Sequence, residues 1–256
     1  MTTYQFFTIA WTWNYVVIAL TAIASIGYFL GFGQRGRPLY FVAAVVLFLL
    51  SFISPFSALA NGYLFSAHMV QHIVLVLIVP ALFLLSLPRS VSLRPPFTYL
   101  TQPLIGWFAG VGAMWLWHAP ALCNAAATSS AVSALQSASL LFMGSLFWWQ
   151  VLAPRDEQRL SPPAGIAYLF TACTACSVLG IILTFAPASI CPVYQHPVDR
   201  FGILETIRGN WGLTSDRDQQ IGGLLMWIPM CAIYLAAILA QLARWHSSPQ
   251  LEQSNA

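Results

Sequence analysis

The stretch SAHMVQHIVLVLIVPALFLLSLP, residues 66 to 88, is an apolar run long enough to cross a bilayer, and it opens with two histidines four residues apart. A hydrocarbon core of about 30 Å requires about 20 apolar helical residues. By that criterion seven runs qualify, over residues 13–32, 38–59, 66–87, 103–120, 131–152, 164–185 and 219–241. The chain therefore reads as all-α, a polytopic transmembrane helical bundle of seven helices, with residues 1–256 as a single integral membrane domain. Only 7% of the residues are charged, against about 25% in a soluble domain. No basic run suggests nucleic acid.

Seven spans put the termini on opposite sides. Arg35, Arg37, Arg89, Arg94, Arg155, Arg159 and Arg244 all fall on one side, whereas Arg200, Arg208 and Arg217 face Asp199, Glu205, Asp216 and Asp218 on the other. Basic residues concentrate in cytoplasmic loops, which predicts the N-terminus outside and the C-terminus inside. The first basic residues follow the first apolar run, so that run reads as a retained anchor. Trp11, Trp13, Trp115, Trp117, Trp148, Trp149 and Trp245 sit near predicted span ends and read as interfacial anchors. Gly27 with Gly31 and Gly106 with Gly110 have the spacing of close helix contacts. Pro80 and Pro229 predict kinks. The five cysteines are too scattered for a disulfide framework. Residues 186–218 form the one long connection, and their aromatic and aliphatic content predicts a segment folded over the outer surface.

Histidines inside membrane spans are costly and point to function. Four residues of helix rotate by about 400°, leaving His68 and His72 about 40° apart on one face and about 6 Å apart along the axis. His118, in MWLWHAPAL, ends the fourth run at the same predicted depth. Met69 follows His68, Met114 lies one turn before His118, and Met226 lies two turns into the seventh run. Imidazole with thioether is a ligand set that copper accepts. Asp218, Gln219 and Gln220 open the seventh run, where they would either orient a histidine or cap their own helix. Cys191, His196 and Asp199 offer a weaker, transient metal site in the outer loop, while Cys173 and Cys176 read as small buried residues. Facing histidines also suit haem iron, so a membrane haem- or quinone-binding protein is the alternative. A transporter is disfavoured, for the sequence shows no internal repeat.

FSAHMVQHIVLVLIVPALFLLSLP, MWLWHAPAL, LLFMGSLFWWQVL, LGIILTFAPASICPVY and DQQIGGLLMWIP, in this order, resemble the seven-helix CtaG family of bacterial cytochrome c oxidase assembly factors. The resemblance implies a multi-pass protein of the bacterial cytoplasmic membrane that is not an enzyme. It implies cytochrome c oxidase subunits as partners, with copper delivery or insertion as the role and an extracytoplasmic copper chaperone as a further partner. His68, His72 and His118 match the motif histidines of that family. One departure stands out: where the family shows His-x-x-Glu-His at the start of the fifth helix, this chain has Ser133, Gln136 and Ser137. Serine and glutamine are poor copper ligands, which leaves a metal-free scaffold as the competing expectation.

Overall fold

The computed structural model describes residues 1–93, 97–187 and 189–247, apart from the side chain of Gln34; Arg94, assigned above to the inner side, lies outside them. Among the described residues every regular element is helical: α1 (Thr3–Ile9), α2 (Tyr15–Gly31), α3 (Pro38–Ile53), α4 (Pro55–Gly62), α5 (Phe65–Ser86), α6 (Phe97–Leu100), α7 (Pro103–Trp117), α8 (Pro120–Thr128), α9 (Ser130–Leu152), α10 (Pro162–Phe185) and α11 (Ser215–Ser247). Helices α5, α9, α10 and α11 are long and apolar enough to cross a membrane. Helices α3 and α4 add a fifth candidate, bent by 57°. Helices α2 and α7 are apolar but shorter, at 17 and 15 residues. This is a multi-pass membrane protein.

Two expected spans are interrupted, both at prolines. The run 38–59 breaks because Pro55 takes the first helical position of α4 and the preceding Ser54 is extended, with ψ 163°, as the residue before a proline prefers. The run 103–120 ends at Trp117, and Pro120 then starts α8, a separate helix that hydrophobicity alone did not distinguish. Helix α1 was likewise not anticipated; a Thr2–Gln5 capping box starts it.

Pro80 acts within α5. Its ring removes an amide and crowds the Val76 carbonyl, and the ladder widens into a π turn over Val74–Ile78. Helix α9 comes in against this site at Gly144, where an added Cβ would collide with the Val76 carbonyl. Gly144→Ala is therefore expected to destabilise the bundle by about 1–3 kcal/mol through overpacking. Gly27→Ala, where nothing lies within 4 Å, serves as the control, and thermal unfolding in detergent checks the pair. The same comparison separates the two glycine spacings. Gly106 and Gly110 lie against Leu146 and Phe147 of α9, whereas a Cβ added at Gly27 or Gly31 would meet no other element within 4 Å. Helix α11 continues as one element through Pro229.

Helix α10 packs along α11, and α9 fits between α5 and α7. Trp148 and Trp149 are buried in this core, and Trp117 is buried with its indole donating to Ser139 Oγ at 2.8 Å. These three tryptophans thus fill the bundle instead of anchoring it at an interface; Trp11, Trp13, Trp115 and Trp245 remain exposed. A second, smaller core caps one end. There Phe6 of α1, Leu59 of α4 and Tyr63 pack with Ile203 and Ile207 of the long connection. That connection does fold over one surface, using a 3-10 turn at Pro192–Tyr194 and a π turn at Thr206–Asn210. The opposite end gathers arginines.

Candidate metal centre

The histidine end is set by a contact between distant parts of the chain. Helix α5 begins with no side-chain cap of its own, so its first amides need an acceptor. Asp218 of α11 supplies it: the carboxylate accepts from the Phe65 amide at 2.7 Å, the Ser66 amide at 3.0 Å and the Ser66 hydroxyl at 2.5 Å, and is itself only 1% exposed. Asp218 therefore caps neither its own helix nor a histidine; it caps the helix that carries two of them. Gly222, one turn further on, lets α11 approach Phe65 and Met69.

From this start, His68 and His72 project from α5 with ring centroids 4.4 Å apart, and His118, the residue closing α7, stands 5.3 Å from His72. All three are buried. His118 Nδ1 lies 2.5 Å from the Met114 carbonyl, and its Nε2 lies 3.1 Å from Met69 Sδ. A carbonyl only accepts, so the proton belongs on Nδ1, and Nε2 turns a lone pair toward the thioether. Two electron donors facing each other do not make a hydrogen bond. Neither ring nitrogen of His68 or of His72 makes a hydrogen bond of normal geometry among the described residues, although the Ala60 backbone stands close to His68 and the Gln136 side chain close to His72. A buried polar group left this way costs about 1–3 kcal/mol, so each one calls for an explanation such as an ion.

The donor set fits a soft or borderline metal. Metal bonds of about 2.0 Å to nitrogen and 2.3 Å to sulfur place a nitrogen–sulfur pair separated by 3.1 Å within reach of one ion. The carbonyl behind His118 orients the ring as outer partners of metal-bound histidines do. As they stand, however, no three His, Cys, Asp or Glu side chains among the described residues are arranged to hold an ion. Ring rotation would be needed to converge the histidines.

The remaining sequence candidates divide. Met114 contributes its carbonyl, and Met226 is fully buried in the same core. Gln219 holds the long connection, accepting from the Ile190 amide at 3.0 Å and donating to Ala186, while Gln220 is exposed. The suggested Cys191, His196 and Asp199 site does not form. Cys191 is bonded to Cys123, and Asp199 accepts from Tyr63 Oη and from the amides of Ile203 and Leu204. The scatter that argued against a disulfide framework thus still leaves room for one bridge. Its signal was available: both residues lie outside the apolar runs and at the same predicted depth. Cys173 lies at Cys231, an approach between α10 and α11 that spacing could not show.

Two neighbours of the cluster were not foreseen. Tyr194 covers His68, with ring centroids 5.8 Å apart; its hydroxyl donates to the Ala60 carbonyl and its own carbonyl accepts from Arg208. Gln136, dismissed above as a poor ligand, is buried beside His72 without a hydrogen bond of normal geometry to it, and its Nε2 has no partner. Ser133 and Ser137 are not buried, and the Ser137 hydroxyl donates to the Ser133 carbonyl.

Fold and site together define a class: a helical membrane protein with a buried imidazole–thioether cluster beneath a disulfide-tethered cap. Sequence comparison is more specific. Residues 13–248 match the cytochrome c oxidase caa3 assembly factor family, and the chain belongs to that family. It is also 22% identical to the uncharacterized protein ML1998 of Mycobacterium leprae, over 94% of this chain and 40% of the relative, so it spans about two fifths of that protein's length. No solved structure matches the chain.

Proposed function

We propose that this protein receives copper at His68, His72, His118 and Met69 and passes it to a cytochrome c oxidase during assembly, with no turnover chemistry of its own. The observation that carries this reading is the His118 Nε2 lone pair set 3.1 Å from Met69 Sδ, beside four imidazole nitrogens that make no hydrogen bond of normal geometry. Copper is cargo here, which accords with a ligand set that closes only when rings turn. Soft thioether and imidazole donors favour the cuprous ion.

The topology follows from the two ends. Counting α2, α7 and the bent α3–α4 pair with the four long helices gives seven spans, with the N-terminus and the histidine end outside a bacterial cytoplasmic membrane. Gathering of arginines at the other end and a disulfide at this one support that orientation, because disulfides persist in oxidising compartments. An extracytoplasmic copper chaperone would then reach the site through the cap. Haem ligation is disfavoured, since His72 packs against both other rings and leaves no slot for a macrocycle.

Replacing His68 and His72 together by alanine is expected to remove about one cuprous ion per chain in a competition titration, and to abolish rescue of oxidase activity in a strain lacking the gene. Equal copper binding by the parent and the double variant would refute the metal role. Gln136 in place of a family carboxylate favours the scaffold reading, in which the double variant still restores oxidase assembly.

A further inference from the structure

The end of the bundle opposite the histidines holds a cavity of about 520 Å³ lined by Arg35, Arg37, Arg89 and Arg159, with Leu84, Leu87 and Leu152 among its apolar walls. Its frame is fixed. The Ser86 carbonyl, at the end of α5, accepts from Tyr28 Oη and from the Arg37 amide, both at 2.9 Å. Gly36 is wedged against these groups with no room for a Cβ, the nearest atoms being 2.5 Å and 2.7 Å from where one would stand. Tyr28 in turn stacks on Phe41 of α3, with centroids 3.8 Å apart. The turn carrying Arg35 and Arg37 is therefore held beside the turn carrying Arg89.

Charge in this cavity is poorly balanced. Among the described residues, Asp156 is the one carboxylate ion-paired with any of the four guanidinium groups, at 2.9 Å from Arg159. Glu157 adjoins it in the chain but is exposed. Arg159 also donates to the Ala153 carbonyl at 2.6 Å. Burial lowers the affinity of its guanidinium for a proton, and although Asp156 opposes this, the positive charges of Arg244, Arg89 and Arg37 add to it. Like charges gathered in one concavity repel, and a permanent anion between them removes the penalty. Guanidinium forks match phosphate oxygens. Leu84 belongs to α5 and Leu152 to α9, two helices long and apolar enough to cross a membrane, and Leu87 directly follows α5, so the cavity at the ends of these helices joins a polar floor to an apolar side, the pairing that a lipid headgroup and its acyl chains present.

We propose that this cavity binds the phosphodiester headgroup of an anionic phospholipid, with Arg35, Arg37 and Arg89 on the phosphate and the acyl chains along Leu84, Leu87 and Leu152. Basic pockets between spans are the recurrent sites for such headgroups. Inorganic phosphate shares the anionic chemistry but would leave the apolar wall unused. The site is independent of the histidine cluster and of any copper function.

Native mass spectrometry of the full chain in detergent, titrated with phosphatidylglycerol or phosphatidylcholine of matched acyl chains, tests this. The anionic lipid is expected to bind at least about tenfold more tightly. Arg35→Gln with Arg89→Gln should weaken it about 30-fold, about fivefold for each cation removed, and leave phosphatidylcholine unchanged. Arg200→Gln with Arg217→Gln, at the histidine end, should change neither. Arg35→Lys with Arg89→Lys keeps the charge and should retain most of the affinity, which decides the matter if the glutamine variant misfolds. Equal binding of the two lipids, or an undiminished affinity in the glutamine variant, overturns the proposal. Displacement of phosphatidylglycerol by millimolar inorganic phosphate would reassign the cavity to a soluble anion and overturn it equally.

Discussion

Asp218→Ala is expected to destabilise the protein by about 3 kcal/mol or more, a large effect for a substitution that leaves every histidine in place. The carboxylate holds two amides and one hydroxyl at the start of α5. Removing it buries three donors without an acceptor, and each orphan costs about 1–3 kcal/mol. Water cannot easily compensate, because Asp218 and Ser66 are both buried. Asp218→Asn keeps the shape and one acceptor oxygen and should recover part of the loss. The measurement is the thermal midpoint in detergent, read beside copper binding. A cap that merely held the helix would move the midpoint alone. One that also positions His68, which starts one turn later, should move both. A midpoint within a degree of the parent would show that α5 does not depend on this carboxylate.

The second large effect concerns Cys123 and Cys191, joined across 68 residues of sequence. Closing a loop of that length removes about 4 kcal/mol of chain entropy in the unfolded state, an upper bound here because spans that stay inserted already restrict the chain. Replacing both cysteines by serine is therefore expected to lower stability by about 2–4 kcal/mol. It should also loosen the segment that places Tyr194 over His68 and speed modification of that histidine by diethyl pyrocarbonate. Alkylation of the unreduced, denatured parent should reach three of its five cysteines, Cys173, Cys176 and Cys231, and all five after reduction. Five labelled thiols without reductant would show that Cys123 and Cys191 are not joined.

What could be read from the sequence follows a simple division. Apolar run length located α5, α9 and α10 to within two residues at each end and α11 to within six, because exclusion of water dictates span length wherever the chain enters a bilayer. Run length does not register a break at Pro55 or Pro120, where hydrophobicity continues while the backbone turns. Tryptophan near a span end signals an interface only if it faces outward, and Trp117, Trp148 and Trp149 face in. The two α5 histidines could be paired because helical geometry is local. Their company could not: Asp218 reaches Ser66 across 152 residues, and Tyr194 and Gln136 arrive from other elements with no periodicity to announce them. Ser133, Gln136 and Ser137 could be read as a departure from the expected helix-five pattern, yet only packing reveals that Gln136 stands beside His72.

The cap has an apolar interior of its own, separate from that of the bundle. Small cooperative units of this kind open at free energies below that of global unfolding. Amides of Ile203 and Ile207 should accordingly exchange with deuterium well before that of Leu140 in the main core. Tyr194, which covers His68, packs with the bundle core and not with this small unit, so the outer end would breathe on its own while the imidazoles stay covered until that tyrosine moves as well.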